Sequence, residues 1–444
     1  MDTYDVVVIG SGPAGLAVAY PLSEQGKQVA IIENTLWGGT CPNRGCDPKK
    51  MLMRGVEVKR EAEAMMQSGI VGQVSIDWPQ LMAHKRSYTD QVPQSTKQGL
   101  TGADIDTFYG TAAFVDPHTI AINEDRIRGK QIVIATGQRP AVLDIPGSHL
   151  LSSSDDFLSL EQLPSEIIFI GGGYITFELA VIAQAAGATV HVVHHNDQPL
   201  KAFDQQLVQD LVKYLSDQGI IFHFSTTSIS LTKEDAKYTL KTDKGTLNAD
   251  LVIGATGRIP NIDGLQLDQA GVAYEKQGII TDSCLRTNQS HIFAIGDVLS
   301  KQQPKLTPVA SFEAEYLVDI LLGHQTPIDY PLIPTLVFGH LKLARIGLSE
   351  ATIRHHADEY HFETIDLSDW YTYKRINDAQ AKIKFTYDQE NHLVAITVLS
   401  AIADTLINDF VFVLGSKSTI KELEHLIFAY PSPSSDLSAF TPNL

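Results

Sequence analysis

Two cysteines are the residues of this sequence best placed to do chemistry. Cys41 and Cys46 lie in the run Gly38-Gly39-Thr40-Cys41-Pro42-Asn43-Arg44-Gly45-Cys46-Asp47-Pro48-Lys49-Lys50. Zinc takes four ligands, and no second pair is present to complete such a site. Three cysteines, the third being the distant Cys284, cannot make a secreted disulfide scaffold, and a structural disulfide does not suit a chain expected in the cytosol. A redox-active pair accounts for the spacing better. A thiolate at a helix N-terminus is stabilised by the helix dipole and by nearby cations. Arg44 and Asp47 put further charge beside the pair. Arg44 would either lower a thiolate pKa or pair with Asp47 at the surface. His355, His356 and His361 cluster further along. A solvated, histidine-rich face is expected there, with no metal.

Two glycine turns supply a second kind of chemistry. An apolar run at residues 4–9 leads into Gly10-Ser11-Gly12-Pro13-Ala14-Gly15, then a helical pattern, then a second apolar run ending at Glu33, 18 positions after Gly15. In such a βαβ unit the first glycine makes the tight turn and the second admits a pyrophosphate. The third lets the helix pack on the strand, and the terminal acid accepts hydrogen bonds from a ribose. A similar unit follows. Residues 167–170 lead into Gly171-Gly172-Gly173-Tyr174-Ile175-Thr176, a helix is expected over 177–186, and a strand over 189–193. Thr176 replaces the third glycine, where a small residue suffices. The second strand ends in His191-Val192-Val193-His194-His195 with no acid, and Lys201 follows. Two such units imply an internal duplication with two nucleotide sites.

The elements that must carry these residues follow from size and pattern. At roughly 150 residues per domain, 444 residues make about three domains. Buried strands are expected at 132–137, closing on Thr136 and Gly137, at 251–257, closing on Gly257, and at 291–297, with Asp297 at the tip. The two prolines in 329–334 mark the last boundary. Antiparallel strands are expected in 335–347, 381–387 and 393–399, then a helix over 401–414 and a Pro/Ser-rich tail. The fold class is α/β: two Rossmann-like dinucleotide-binding domains and a C-terminal α+β domain. With 34 Lys and Arg against 52 Asp and Glu, the net charge is −18, which disfavours nucleic acid and anionic membrane as partners. There is no 20-residue apolar run and no signal-peptide pattern, so a cytoplasmic enzyme is expected.

Taken together, these motifs resemble the class I flavoprotein pyridine nucleotide-disulfide oxidoreductases. This is the family of glutathione reductase, dihydrolipoamide dehydrogenase and mercuric reductase, and the resemblance covers essentially the whole chain. It implies that residues 1–142 and 262–330 form an FAD-binding region in two parts. Residues 143–261 would bind NAD(P)H, and 331–444 would make a homodimer whose active site is shared between subunits. FAD would be held by Gly10, Gly12, Pro13, Ala14, Gly15, Glu33, Gly39, Thr40, Thr136, Gly137 and Asp297, the last on the ribityl chain. NAD(P)H would be held by Gly171, Gly173, Tyr174, Ile175, His195, Lys201 and Gly257, with Tyr174 as an aromatic gate. The resemblance makes Cys46 the thiolate that touches the flavin and gives a charge-transfer complex. Cys41 becomes the interchange thiol that attacks substrate. One of Lys49 and Lys50 would pair with Glu178 near the flavin ring. The Pro48-Lys49-Lys50 ending is nearer to glutathione reductase than to dihydrolipoamide dehydrogenase. NADPH members place two arginines at about the positions of His195 and Lys201. NADPH is therefore expected over NADH, more strongly at lower pH.

One family feature is missing. The C-terminal His-Pro dipeptide, with a Glu five residues on, is replaced by Tyr430-Pro431 and Ser435. A phenol has a reference pKa near 10 against about 6.5 for imidazole, so Tyr430 can donate a proton but is a poor base at neutral pH. His425 is expected on a helix surface. Loss of the dyad disfavours lipoamide, and glutathione disulfide too unless Tyr430 serves. Related Tyr-assisted enzymes handle coenzyme A disulfide. The expected substrate is a small disulfide or a thiol-reactive oxidant such as a hypohalous or hypothiocyanous species. Two alternatives remain open: an NAD(P)H-flavin diaphorase or quinone reductase with a vestigial disulfide, and a low-turnover flavin-bearing sensor.

Overall fold

A computed structural model describes residues 1–324, 326–415 and 426–440. The chain divides into two compact units, each built from separated stretches. Residues 1–50, 83–141 and 257–329 form the first, and 51–82, 142–256 and 330–444 the second.

The first unit is organised by the strand Asp2–Ile9, parallel to Val29–Glu33 on one side and Asp125–Ile134 on the other. Its continuous apolar run is what burial on both faces of a parallel sheet requires. Asp106–Tyr109 extends one edge in parallel. Thr119–Ile122 and Ala112–Asp116 extend the other antiparallel, and Ile292–Ala294 pairs in parallel with Asp125–Ile134. The helices Pro13–Glu24 and Thr307–Leu321 pack on each other within this unit. Pro13 begins the first helix at a position where its missing N–H costs nothing.

Among the described residues the second unit holds three sheets. A parallel sheet runs in the order Ile220–His223, Thr189–Val193, Glu166–Ile170, Leu251–Gly254. A three-stranded antiparallel meander follows at Ser228–Glu234, Lys237–Thr242 and Gly245–Ala249. A five-stranded antiparallel sheet runs Thr335–Val337, Lys342–Gly347, Leu393–Ser400, Lys382–Asp388, Tyr360–Asp366. The helix Ala403–Gly415 covers it, with Phe385, Phe410 and Phe440 in mutual ring contact.

The α/β class with two dinucleotide-binding folds and a C-terminal α+β portion is as expected. Several local expectations differ. The strand expected through 335–347 is two strands joined by a turn. The helix expected from 177 starts at Tyr174. The Pro/Ser-rich tail carries a 3-10 helix, Pro433–Phe440, that buries Leu437 and Phe440. The polar meander and the strand Tyr360–Asp366 were not anticipated, because exposed strands lack a long apolar run. His425 lies outside the described residues. Among the described residues no helix is long and apolar enough to cross a membrane.

Candidate active site

The cysteine pair sits where a tight loop turns into a helix. After the strand Val29–Glu33 the chain makes two left-handed turns, at Gly38 (φ +96) and Gly39 (φ +71). A Cβ on Gly39 would lie 2.4 Å from the Gly12 Cα, so the cysteine loop and the first glycine turn meet backbone to backbone. Asn43 locks this loop by donating from Nδ2 to the carbonyls of Trp37 and Gly39. The short helix Thr40–Arg44 breaks at Gly45, where a Cβ would meet the Thr40 carbonyl at 2.9 Å. The helix Cys46–Ala64 then begins, with Cys46 as its first residue. Cys41 and Cys46 are free thiols, not bonded to each other.

The two sulfurs are electrostatically unlike. A hydrogen bond from Cys41 lowers the Cys46 pKa to about 6, helped by the Thr307 hydroxyl and by the charges of Lys49 and Lys50. The Thr307 oxygen lies 3.7 Å from Cys46 Sγ. Cys41 moves the other way: donating that bond, together with burial and the charges of Cys46 and Asp47, pushes its thiol well above the ordinary range. The pair is therefore one thiolate and one thiol, with the thiolate at the helix start. Arg44 donates through Nη2 to Thr35 Oγ1. Asp47 instead accepts from Tyr88 through Oδ2 at 2.7 Å and contacts Cys41 Sγ through Oδ1 at 3.9 Å. Thr307 and Tyr88 escaped the sequence reading. Each lies far along the chain from its partner, and only Pro308, beside Thr307 at a helix start, leaves any local mark.

The two glycine turns are built alike. Gly10 N donates to Ile32 O, and Gly171 N donates to Val193 O. A Cβ on Gly10 would strike Ala135 O at 2.4 Å, and one on Gly171 would strike Ala255 O at 2.2 Å. This correspondence places His194 where the first unit has Glu33, and Gly172 where it has Ser11. Glu33 is buried, and its carboxylate already accepts from Ser11 N and Oγ, Asn34 N, Thr35 N and Thr35 Oγ1. A ribose hydroxyl there would have to exchange with the Ser11 or Thr35 hydroxyl. His194 is buried against Gly172, whose Cβ would lie 2.7 Å from the imidazole. Burial, then the neighbouring His195, lowers the His194 pKa, so the ring is neutral at pH 7. Sequence reading stopped at the missing acid and did not single out His194 as its replacement.

The remaining expected residues fall as follows. Pro13, Ala14 and Gly15 open the first helix, and Thr40 opens the short helix before Gly45. Thr136 and Gly137 lie at the end of the strand Asp125–Ile134, with Thr136 Oγ1 buried and without a hydrogen-bond partner among the described residues. Asp297 sits in the turn after Ile292–Ala294. Burial raises its pKa against the pull of Lys301, Lys305 and Arg258. Gly173, Tyr174 and Ile175 begin the helix Tyr174–Ala185, with Tyr174 exposed, and Gly257 turns at φ +128. His195 and Lys201 are both exposed on the loop after Thr189–Val193, and Arg354 braces it by donating to Lys201 O. Thr176 is fully buried in the helix. Lys49 is buried in the first unit, with Lys50 beside it. Glu178 is buried in the second, where Oε1 accepts from Phe338 N. Tyr430 is 70% exposed and stacks on Tyr371 at 5.8 Å. Of the histidine cluster, His356 pairs with Glu359 and His361 stacks on Tyr387. No group of three metal-ligating side chains occurs among the described residues.

Known proteins agree with this architecture. A family model described as pyridine nucleotide-disulphide oxidoreductase matches residues 4–314, and one for that family's dimerisation domain matches 333–439. Glutathione reductase of Burkholderia cepacia is 29% identical over 437 residues, covering 97% of this chain and 96% of that protein. Dihydrolipoyl dehydrogenase 3 of Haloarcula marismortui is 32% identical over 367 residues, covering 78% and 76%. The HOCl-induced flavoprotein disulfide reductase RclA from Escherichia coli superposes with a TM-score of 0.89 at 25% identity, covering 98% of this chain and 99% of that one. On this breadth of likeness, the chain belongs to the pyridine nucleotide-disulphide oxidoreductases and is an NAD(P)H-dependent flavoprotein disulfide reductase.

Proposed function

We propose that the chain is an NADPH-dependent reductase, acting as a homodimer in the cytoplasm, whose Cys41–Cys46 pair reduces a small disulfide or a thiol-reactive oxidant. The observation that carries this reading is the unequal pair: Cys46 opens a helix with the Thr307 oxygen 3.7 Å from its sulfur, and these surroundings favour its thiolate beside a protonated Cys41. A vestigial pair would have no reason to keep a thiolate at a helix start beside a hydroxyl and the charges of two lysines. The expected division stands as part of the proposal: FAD on 1–142 and 262–330, NADPH on 143–261, dimer contacts on 331–444.

The first unit fits FAD. On the side where a Gly12 Cβ would stand the turn is open, its nearest neighbour being Gly39 Cα at 3.9 Å, and Thr136 offers a buried hydroxyl with no partner among the described residues. Gly10, Gly12, Gly15, Glu33, Gly39, Thr40 and Asp297 would hold the dinucleotide. When bound, the flavin supplies two-electron transfer between nicotinamide and sulfur. The chain's own residues do the rest. Lys49, Lys50 and Thr307 hold the negative charge on Cys46. Cys41 attacks the substrate sulfur or oxidant, and Cys46 then displaces from Cys41 the product thiolate, or the anion left by the oxidant, to close the disulfide.

NADPH is favoured by the absence of a carboxylate at the His194 position, since an acid there would repel a 2′-phosphate. His194 is neutral, so charge complementarity falls to His195 and Lys201 on the exposed loop. The oxidant class is supported by the HOCl-induced relative. It is also supported by the replacement of the family's His and Glu with Tyr430 and Ser435, because an oxidant with a good leaving group needs little general acid.

The test is steady-state NADPH oxidation against glutathione disulfide, coenzyme A disulfide, lipoamide, hypothiocyanite and a quinone, with Cys41→Ser alongside. Turnover of one disulfide or oxidant that is lost in Cys41→Ser supports the proposal. Quinone turnover alone, equal in both proteins, overturns it.

A further inference from the structure

The family's histidine and glutamate are absent, yet the interchange thiol still needs somewhere for its proton to go. Cys41 is held as a thiol by its neighbours, and a thiol is a poor nucleophile until it is deprotonated. The groups that face it in the first unit are few. Cys46 receives its hydrogen bond, the Thr307 hydroxyl lies beside the pair, and Asp47 and Tyr88 contribute an acid and a phenol. Arg44 donates to Thr35, while Lys49 and Lys50 act on Cys46.

Asp47 stands out in this set. It occupies the first turn of the helix Cys46–Ala64 and spans two partners with its two oxygens. Oδ1 lies 3.9 Å from Cys41 Sγ, and Oδ2 accepts the Tyr88 hydroxyl at 2.7 Å. The Tyr88 bond fixes the carboxylate so that one oxygen stays directed at the sulfur. The same bond, with burial, pushes the Tyr88 phenol up to about 12, so Tyr88 remains a donor through the neutral range. A sulfur–oxygen contact of this length is ordinary for a catalytic hydrogen bond before substrate arrives, since such bonds tighten in the reacting complex.

We infer that Asp47 is the proton acceptor and donor for Cys41, with Tyr88 as its positioning residue, so that this subunit supplies from its own cysteine loop the acid–base group that other members take from a histidine. This rests on the thiol-reductase reading proposed above. With a disulfide RSSR′, the single Cys41 Sγ–H turns from Cys46 to Asp47 Oδ1 and gives its proton there as sulfur attacks RS. A Cys41–SR bond forms, the S–S bond of the substrate breaks, and R′S⁻ leaves with the electron pair and takes the proton back from Asp47. The Cys46 thiolate then attacks Cys41 Sγ, forming the Cys41–Cys46 disulfide and releasing RS⁻, which is protonated from water. Two electrons pass from the cysteine pair to the substrate. The NAD(P)H-dependent activity reduces the pair again.

The consequence is a dependence on leaving group. An alkyl thiolate needs the returned proton, whereas a nitrobenzoate thiolate does not. A carboxylate beside Cys41 also raises its pKa, so removing the charge should make Cys41 more easily alkylated while making turnover slower. Misfolding or loosened packing would not produce that opposition.

The experiment uses the FAD-loaded enzyme as wild type, Asp47→Asn and Tyr88→Phe. The probes are bis(2-hydroxyethyl) disulfide, 5,5′-dithiobis(2-nitrobenzoate) and, on NADPH-reduced protein, iodoacetamide over a pH series. In Asp47→Asn, kcat/KM for the alkyl disulfide should fall at least about tenfold, toward the 10²–10⁴ typical of a lost acid–base group. The fall should be several-fold smaller for the aryl disulfide, and the alkylation limb should move to lower pH. Tyr88→Phe should show the same pattern more weakly, which keeps the test open if Asp47→Asn does not fold. Equal losses on both disulfides, or an unmoved alkylation limb, overturn the assignment. Wild-type enzyme that turns over neither disulfide, or does so equally after Cys41→Ser, instead defeats the underlying reductase reading.

Discussion

Replacing Thr307 by valine isolates the hydroxyl's hold on the thiolate. The change conserves shape and removes the one oxygen that lies 3.7 Å from Cys46 Sγ. A hydrogen bond to a charged group contributes about 1.5–3 kcal/mol. At this length the lower end applies, which is about one pKa unit at ~1.4 kcal/mol per unit. The Cys46 pKa should therefore rise from about 6 to roughly 7. The sign follows directly. The thiolate is the stabilised form, so it persists above the folded-state pKa and is lost as pH falls through it. At pH 6.5 the thiolate fraction should drop from about three-quarters to about one-quarter. The assay is the ultraviolet absorbance of thiolate in two-electron-reduced enzyme, titrated from acid to neutral pH and corrected with Cys46→Ser. The acid limb of disulfide turnover should shift by the same amount. A Thr307→Val enzyme whose Cys46 titrates where the wild type does would refute the reasoning. So would a wild-type Cys46 that titrates as an ordinary thiol.

Two further outcomes follow from the glycine turns. Gly39→Ala places a methyl 2.4 Å from the Gly12 Cα at a φ of +71, so the two loops must separate. The expected cost is about 1–3 kcal/mol of overpacking, read as a lower Tm and less flavin retained per chain, and an unchanged flavin content would contradict it. His194→Glu restores an acid at the end of Thr189–Val193. The ratio of kcat/KM for NADPH over NADH should fall by about tenfold, equivalent to ~1.4 kcal/mol. A constant ratio would show that this position does not face the ribose.

Much of the fold could be read from the chain because its strands are short apolar runs stopped by glycines whose conformations are compulsory. Gly10 and Gly171 each turn where a side chain would collide with a carbonyl, and that constraint marks the sequence. The cysteine pair was legible for the same reason, through Gly38, Gly39 and Gly45. What escaped was whatever depends on contacts between distant segments. Cys46 and Thr307 are 261 positions apart, and Asp47 and Tyr88 are 41 apart. Nothing local told Arg44 and Asp47 to part, the one toward Thr35 and the other toward Tyr88 and Cys41. The correspondence of His194 with Glu33 needed the backbone bond from Gly171 to Val193 to set its register. The strand Tyr360–Asp366 was missed because, as an edge with polar residues on its open face, it carries no apolar signature.

The discontinuity of the first unit has a consequence for biosynthesis. Its sheet is organised around Asp2–Ile9, but Ile292–Ala294 and the helix Thr307–Leu321 are made only after the whole of residues 142–256. The four parallel strands of the second unit all lie within 166–254, so they can close while the earlier sheet still waits for its last strand. Domains generally fold as units in the order they are made, and pairing across long loops is slow. The expected order of folding is therefore from the middle of the chain outward. Cys46 is made 261 positions before Thr307, so the nascent chain carries both sulfurs before the hydroxyl that helps make them unequal exists.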